Sequence, residues 1–359
     1  MADEQEIFDQ SILKIDTTKI KLAITIKDVE FDDSPILVAD PFLIYHNGKF
    51  FIFYELQGKN KKVIAVSESN NGLDYRWLGV VLDNSSENIL SSFPYVFKHG
   101  NDWYMIPEQS EKKNDRSLNY LYKTNDLNFP FGWNREGVLF DFGEKRKITD
   151  KSIIRHNGMW YVFYGLGDSR RHKLNIAMFE DIENRKPKKH PASPIMETPK
   201  RGWYSYFIFI LNIIAYKLKR KGLSIDDHLL LSKIFSKLVG FVKFNPCRPA
   251  GKIVKTTEGK IVLYLQDQGK NLDHWDIRGT YGKYVSAMII NKLTPEEIVF
   301  RIHSDYTLSP TFRAGDWNSD KMHTFSLISA DGKIFAAVDG FNNANGEWSI
   351  GITEINQQN

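Results

Sequence analysis

The chain has 359 residues, with 48 Lys and Arg against 44 Asp and Glu, so its net charge of +4 gives no reason to expect nucleic-acid binding. Hydrophobic residues make up 42% of the chain and aromatic residues 13%, which excludes a largely disordered protein. The single cysteine, Cys247, excludes an internal disulfide and a metal site built only from cysteines, and it fits a reducing compartment.

The first thirty residues contain one alternating run, IKLAITIKDVEF, which predicts a strand. We expect this strand to close a ring by joining the last repeat of the chain. The N-terminal sequence MADEQEIFDQ is acidic and lacks the apolar core of a secretory signal. The expected location is therefore cytoplasmic, either free or peripheral at the inner face of the membrane.

From residue 39 onward the chain repeats one pattern, in which an apolar strand, a turn rich in Gly, Asn and Asp, and an aromatic-rich strand form a β-hairpin. Its five copies are ADPFLIYHNGKFFIFYE (39–55), SFPYVFKHGNDWYMIPE (92–108), TDKSIIRHNGMWYVFYG (149–165), AGKIVKTTEGKIVLYLQ (250–266) and HTFSLISADGKIFAAVD (323–339). Four copies are followed by a further strand: VIAVSES, LNYLYKT, LNIAMFE and VSAMIIN. A period of about 50 residues or more with several strands per unit indicates propeller blades. We therefore predict an all-β, five-bladed β-propeller forming a single domain over 1–359.

The segment 201–243 breaks this rhythm between the third and fourth blades. Ser224 is a plausible N-cap for a helix over 225–239, so we predict an inserted helical segment. Its aromatic, apolar first half followed by KLKRKG suits an interfacial helix on anionic lipid. A helical hairpin packed on the side of the propeller, or a dimer contact, fits the same sequence equally well.

The ends of the repeats are the candidate functional positions. The last residue of each copy is acidic, an amide or glycine: Glu55, Glu108, Gly165, Gln266 and Asp339. Asp40 and Asp150 open two of the hairpins at one shared register. The pattern predicts that these side chains meet at one central site. Alternatively, Asp40 caps a turn, and the two glutamates bond backbone N–H groups of neighbouring blades.

Crowding raises the pKa of some carboxyls and leaves a protonated acid beside an ionised base. Asp40, Glu108 and Asp150 are the candidate catalytic residues of such a cluster. Arg248 suits a carboxylate or phosphate because its fork bonds two oxygens. The remaining substrate-binding candidates are Glu55, Trp103, Gln266, Asp267, Tyr281, His323 and Asp339. His323 fits a structural hydrogen bond equally well, and most aromatic side chains are expected in the core between blades.

No nucleotide-binding loop, dinucleotide fingerprint, nucleophile elbow or metal motif is present in the sequence, so no cofactor and no metal are predicted. The basic runs KLKRKG and EKRK lack alternating aromatic residues. They are interpreted as solvated faces or lipid contacts rather than nucleic-acid sites.

The order of the motifs ADPF…FYE, SFPYVF…WYMIPE, TDKSII…MWYVFYG, RPAGKI…LYLQDQ and HTF…VDGF resembles the five-bladed propellers of glycoside hydrolase family 43. It is closer still to the family-43-like domain at the N-terminus of plant glucosamine inositolphosphorylceramide transferases and its stand-alone bacterial relatives. The similarity covers about 35–200 and 245–345. By motif register, it implies that Asp40 is a general base and Asp150 a modulator. Glycosidic bond cleavage needs a protonated and an ionised carboxyl about 5–9.5 Å apart, and on this resemblance the best pair is Asp40 as base and Glu108 as acid. The Glu that serves as the general acid in family 43 has no clear counterpart here, because blade 4 has Gln266 and Asp267 where that Glu is expected.

These features together predict a carbohydrate-active enzyme, a glycosyltransferase acting on activated or lipid-linked sugars in surface-glycan or glycolipid biosynthesis. The expected partners are a sugar nucleotide or lipid-linked glycan and, through 201–243, a membrane surface. Two alternatives stay open: a family-43-like glycoside hydrolase or phosphorylase, and a non-catalytic glycan-binding propeller. The last predicts that the central carboxylates are all engaged by backbone groups or salt bridges.

Overall fold

The computed structural model describes residues 7–113, 117–144, 146–168, 171–197, 248–267, 284–308, 311, 316–319, 321–342 and 345–355. These residues form five β-sheets, which correspond to the five predicted blades. The N-terminal part contains strands β1 (Ile7–Phe8) and β2 (Lys21–Ile24), with 3-10 turns at Gln10–Leu13 and Thr17–Lys19. The predicted helical segment 201–243 lies outside the described residues.

The blades follow one another in chain order. Blade 1 consists of β3 (Leu37–His46), β4 (Lys49–Gln57), β5 (Lys62–Ser69) and β6 (Arg76–Leu82), and a 3-10 turn at Ser85–Glu87 leads to the next blade. Blade 2 consists of β7 (Ile89–His99), β8 (Asp102–Glu111), β9 (Ser117–Leu118), β10 (Tyr120–Asn125) and β11 (Asn134–Val138). Blade 3 consists of β12 (Ile148–His156), β13 (Met159–Asp168), β14 (Arg171–Phe179), β15 (Lys188–Lys189) and β16 (Met196–Glu197).

Blades 4 and 5 complete the ring. Blade 4 consists of β17 (Arg248–Pro249), β18 (Val254–Thr256), β19 (Ile261–Asp267), β20 (Tyr284–Leu293) and β21 (Ile298–Leu308). Blade 5 consists of β22 (Lys321–Ala330), β23 (Lys333–Asn342) and β24 (Glu347–Ile355). Strand β2 pairs antiparallel with β24, which confirms that the N-terminal strand closes the ring in the last blade. Strand β1 adds a parallel pairing with β18 of blade 4 that the sequence analysis did not predict.

The hairpins form because their turn residues accept left-handed backbone angles. Asn47 and Gly48 have φ of 50° and 75°, and the pairs Asn157–Gly158 and Asp331–Gly332 repeat these values closely. Positive φ at both central residues is the geometry that matches the right-handed twist of the flanking strands. In each of these blades the turn lies at the end opposite to that at which the first strand begins.

The core lies between neighbouring blades and on the ring axis. Phe42 of blade 1 contacts Phe93 of blade 2 edge to face, with ring centroids 5.5 Å apart. On the axis, the Tyr95 hydroxyl donates to the Ile153 carbonyl at 2.8 Å and accepts from the Ile253 amide at 3.2 Å. One buried side chain thus connects blades 2, 3 and 4. Within the described ranges, no helix has the length and apolar character needed to cross a bilayer.

Candidate active site

The first strand of each hairpin carries an irregularity at the register of Asp40. Pairing with the second strand shifts at Ala39/Phe42, Ser92/Tyr95, Thr149/Lys151 and Met322/Phe325, and in blade 4 the gap between β17 and β18 falls at the same position. Positive φ marks four of these positions: Asp40 (55°), Phe93 (46°), Asp150 (29°) and Gly251 (149°). A bulge bends its strand and redirects a side chain. The repeated bulge therefore brings one position from each blade towards the same end of the ring.

Asp40 and Glu55 of blade 1 form the first buried carboxyl pair, and each affects the pKa of the other. Asp40 Oδ1 accepts from Thr324 Oγ1 at 2.7 Å and contacts His323 Nδ1 at 3.1 Å. Glu55 Oε1 lies 2.7 Å from the Lys62 ammonium. Burial opposes ionisation of Asp40, but the hydrogen bond and charge of His323 hold its pKa well below the ordinary value.

Glu55 is the member of this pair that keeps the proton. Burial raises the pKa of Glu55 to about 7; Lys62 opposes this rise and the Asp40 carboxylate adds to it. Two carboxyls in one site cannot easily both ionise, so the proton belongs to the pair and is centred on Glu55. A group whose pKa lies near neutrality can both accept and release a proton at working pH.

Glu108 of blade 2 and Asp150 of blade 3 form the second buried pair. Glu108 Oε2 accepts from the Asp150 backbone amide at 3.0 Å, and each carboxyl affects the pKa of the other. Arg248 Nε donates to Asp150 Oδ2 at 2.6 Å, and its Nη2 contacts the same oxygen. Gln266 Nε2 donates to that oxygen as well, at 3.1 Å.

The sequence predicts Glu108 as the acid and Asp150 as a modulator, whereas the surroundings of this pair favour the proton on Asp150. Burial raises the pKa of Asp150 to about 8, with Arg248 opposing and Glu108 reinforcing the rise. For Glu108, burial is outweighed by the charge of Arg248 and by the hydrogen bonds with Asp150, which lower its pKa to about 2. Glu108 is therefore the ionised member and Asp150 the protonated one. Asp150 holds the proton although Arg248 and Gln266 donate to its Oδ2, because it is almost completely buried and lies beside the ionised Glu108.

Asp339 closes the site from blade 5 and is fully buried. Its Oδ1 accepts from the backbone amides of His323 (2.8 Å) and Thr324 (2.7 Å), and its Oδ2 accepts from the Asp40 amide at 3.1 Å. Asp339 and Glu108 thus each bond the bulge of the next blade. For Glu108 this is the alternative role that the sequence predicts for the two glutamates, whereas Glu55 pairs with Lys62 and the contact of Asp339 was not predicted. We call Asp40, Glu55, Glu108, Asp150 and Asp339 the carboxylate cluster.

Asp40, His323 and Asp339 bring three possible metal-ligand atoms within 4.8 Å of one another. The donor set would suit a divalent cation in chemical type. However, Asp40 Oδ1 and both Asp339 oxygens already accept the hydrogen bonds described above. We therefore assign these groups to hydrogen bonding between blades 5 and 1.

A ring of cations lies on the more exposed side of the carboxylate cluster. The side chains of Lys62, Lys147 and Arg248 are 27%, 30% and 20% exposed, whereas no side chain of the cluster exceeds 11%. Lys147 Nζ lies 3.7 Å from Glu108 Oε1, and Arg248 Nη2 lies 3.8 Å from Glu108 Oε2. We call these three residues the cationic rim.

Two buried polar groups beside the cluster have no hydrogen-bond partner among the described residues. Gln266 Oε1 is one, and Lys151 Nζ is the other. Lys151 is fully buried next to Asp150. Burial lowers the pKa of Lys151 to about 8, while Glu108 and Asp150 oppose this change. Buried polar atoms are rarely left unpaired, so both are candidate contacts for a ligand or an ordered water.

Other predicted residues lie elsewhere. Trp103 stands at the hairpin end of β8, about 16 Å from Glu108 at the rise of an extended strand. It is buried, stacks on Phe129 with centroids 4.2 Å apart, and donates its indole N–H to Asp126 at 2.7 Å. The structure thus separates Trp103 from the carboxylate cluster. Asp267 is the last residue of β19, one beyond Gln266, and Tyr281 lies outside the described residues.

Lys62, Lys147 and Lys151 belong to the site but were absent from the sequence prediction. Lys147 ends the run EKRK, which was interpreted as a solvated face or lipid contact. Its place beside Glu108 follows from the start of β12 at Ile148, directly before the predicted Asp150. Proximity in sequence to the predicted bulge was the signal that could have identified Lys147 and Lys151.

The fold and the site define a five-bladed β-propeller with a buried cluster of carboxylates at one end of its axis. Residues 22–202 match the family described as glucosamine inositolphosphorylceramide transferase 1, N-terminal, and the chain belongs to this family.

Curated relatives carry the same description. The protein named glucosamine inositolphosphorylceramide transferase 1 from Oryza sativa subsp. indica is 34% identical over 144 residues, which is 38% of this chain and 17% of the relative. Its namesake from Arabidopsis thaliana is 29% identical over 146 residues, which is 39% of this chain and 17% of the relative. The matched segment thus spans less than a fifth of the length of these relatives.

Solved structures share the fold at low sequence identity. A glycoside hydrolase superposes with a TM-score of 0.61 at 13% identity, covering 97% of this chain and 96% of that chain. A thermostable family-43 glycoside hydrolase gives 0.56 at 14% identity, covering 90% of each chain. The catalytic domain of a Coprinopsis cinerea GH62 α-L-arabinofuranosidase gives 0.57 at 10% identity, with coverages of 94% and 96%. At these identities the likeness supports the fold alone.

Proposed function

We propose that this chain is a carbohydrate-active enzyme that transfers a glycosyl group from an activated or lipid-linked donor to an acceptor hydroxyl. The observation that carries the proposal is the presence of two buried carboxyl pairs, Asp40 with Glu55 and Glu108 with Asp150. Each pair retains one proton close to neutral pH. Perturbed acids grouped in this way are typical of acid–base chemistry. The biological setting that fits the family is surface-glycan or glycolipid biosynthesis.

In the proposed reaction, the acceptor hydroxyl loses its proton to the Glu55 carboxylate, whose pKa of about 7 matches this task. The acceptor oxygen forms a bond to the anomeric carbon while the bond from that carbon to the leaving oxygen breaks. The leaving group keeps the electron pair, and the cationic rim stabilises the negative charge that develops there. Gln266 Oε1 can accept a hydrogen bond from a sugar hydroxyl.

The relatives support transfer through their name, since both rice and Arabidopsis proteins are called transferases. Because the match covers 17% of each relative, their activity is not thereby placed in the matched segment. The assignment of transfer to this chain therefore depends on the chemistry of its own carboxylate cluster.

A second candidate, a non-catalytic glycan-binding propeller, is favoured by one specific observation. Every member of the carboxylate cluster is already engaged: Asp40 and Asp339 by blade 5, Glu55 by Lys62, and the second pair by Arg248. A cluster that only fixes the blades together would show the same contacts. Catalysis and recognition therefore have to be distinguished by activity rather than by geometry.

The experiment is a mass-spectrometric assay of the purified protein with a panel of nucleotide sugars and short lipid-linked acceptors. Glu55→Gln and Asp150→Asn test the two pairs, and Asp126→Asn, a carboxylate variant at the hairpin end, is the matched control. Transfer by wild type and control that both cluster variants abolish, with melting temperatures retained, supports the proposal. Glycan binding without turnover would identify a recognition domain, and free sugar released from aryl glycosides would identify a hydrolase.

The cellular partners follow from the same proposal. A sugar nucleotide or lipid-linked glycan would supply the donor, and a cytoplasmic site next to a membrane would give access to lipid-linked sugars. Contact with that membrane is proposed for 201–243, which lies outside the described residues, and vesicle co-sedimentation of the full chain tests it.

A further inference from the structure

Three cations from three blades lie beside the two carboxyl pairs, on the more exposed side of the site. Lys147 and Arg248 approach the two different oxygens of Glu108, at 3.7 Å and 3.8 Å. Lys62 bonds Glu55, and its charge also interacts with Glu108 and Asp40. Two of the cations therefore flank Glu108, the third lies close enough to interact with it electrostatically, and each is about a quarter exposed.

Positive groups outnumber the negative charges of the two carboxyl pairs below neutral pH. Each pair keeps one proton there and carries one negative charge. The positive groups are the three residues of the cationic rim, Lys151 beneath the second pair, and His323, whose charge acts on Asp40. Asp339 is fully buried and is held by three backbone amides. Because the negative charges are buried and the rim is partly exposed, an anion that arrives from solvent meets the positive groups first.

We propose that the space between Lys62, Lys147 and Arg248, above Glu108, binds a phosphate group of the substrate. The donor is accordingly a sugar that carries a phosphate or diphosphate leaving group. This inference rests on the proposed glycosyl transfer and specifies its substrate class. Guanidinium and ammonium groups are the side chains that bind phosphate oxygens most strongly, Arg by a fork and Lys as a point charge.

Binding of an anion at this site is coupled to proton uptake. A negative ligand beside Glu108 stabilises the protonated forms of Glu55 and Asp150, whose pKa values of about 7 and 8 lie within the accessible range. The affinity for an anion of fixed charge therefore rises as pH falls from 9 to 6.5. A site made only of surface lysines would show little change over that range, because lysine titrates near pH 10.

The test is isothermal titration calorimetry of the full chain with inorganic pyrophosphate and with sulfate, whose charge is constant over this range. Lys62→Met and Lys147→Met are compared with Lys123→Met. Lys123 is a matched control because it is 26% exposed and bonds two carboxylates, Asp102 and Glu183, near the hairpin end. Losing one charge-assisted contact weakens pyrophosphate binding about tenfold in the two rim variants and leaves the control unchanged.

Sulfate affinity should rise several-fold towards pH 6.5, and titrations in two buffers of different ionisation enthalpy should show protons taken up. Competition by a nucleoside diphosphate and by a short isoprenyl diphosphate then identifies which source of diphosphate the site prefers. Absence of pyrophosphate binding, or equal binding by rim and control variants, overturns the phosphate site. The binding measurement does not depend on turnover. If the anion binds but no glycosyl transfer is found, the proposed activity is wrong and the phosphate site stands. If transfer is found and is unchanged in the Lys62→Met and Lys147→Met variants, the phosphate site is wrong and the activity stands.

Discussion

Glu55 and Glu108 occupy the same position in consecutive repeats, yet their surroundings predict opposite effects of the same substitution on stability. Glu55 has a pKa raised from 4.5 to about 7, which means that its ionised form destabilises the fold. Glu108 has a pKa lowered from 4.5 to about 2, so its ionised form stabilises the fold. Glutamine resembles the protonated acid in shape and cannot ionise.

The magnitudes follow from linkage between protonation and folding. The folded protein binds more protons at Glu55 than the unfolded chain does between pH 4.5 and 7, so stability is lost as pH rises through that window. The loss corresponds to about 3 kcal/mol above pH 7, which Glu55→Gln removes. For Glu108 the stabilisation is present above pH 4.5 and is lost as pH falls towards 2. Glu108→Gln is therefore destabilised by about 3 kcal/mol at neutral pH.

The assay is denaturant unfolding followed by tryptophan fluorescence at pH 5.5 and pH 8.5, with melting temperatures as a second readout. Glu55→Gln should exceed wild type in stability at pH 8.5 and match it more closely at pH 5.5. Glu108→Gln should be less stable than wild type at both. Shifts of the same sign for both variants, or a Glu55→Gln effect that does not change with pH, would refute the assignment of protons within the two pairs.

Three further predictions concern the frame of the site. Gly251→Ala places a Cβ 1.7 Å from the Phe325 carbonyl oxygen at a φ of 149°, so we expect loss of several kcal/mol or failure to fold, measured by expression and melting temperature. Tyr95→Phe removes two axial hydrogen bonds, including the one to the Ile153 carbonyl, and should lower stability by about 1–3 kcal/mol in denaturant unfolding. Trp103→Phe should leave ligand binding and turnover unchanged in the assays described above; a large loss of either would contradict its position at the hairpin end.

The ring itself was predictable from the sequence because each hairpin carries its own local signals. The pairs Asn47–Gly48 and Asp331–Gly332 adopt positive φ, which residues of these types accept in hairpin turns. The alternating run that includes β2 was predicted to pair with the last blade, and it pairs with β24. The register of Asp40 and Asp150 also followed from the repeat. These features depend on interactions between residues that are close in the sequence.

The protonation of the site was not predictable in this way. The sequence places Glu55 and Glu108 at one register, but their pKa values depend on residues from other parts of the chain, Lys62 for the first and Arg248 for the second. Arg248 reaches Asp150 across 98 positions of sequence. An aromatic residue such as Trp103 is equally typical of sugar stacking and of core packing. Its position at the hairpin end of β8, away from Glu108, decides for core packing.

The bulge repeated in the blades has a consequence for how such a protein can diversify. The backbone geometry at that position recurs in four blades, but the side chain differs. The four residues are Asp40, Phe93, Asp150 and Gly251. A different side chain at this position changes the chemistry at the axis, except at Gly251, where a Cβ would lie 1.7 Å from the Phe325 carbonyl oxygen. New chemistry at the axis can therefore arise in this architecture one blade at a time.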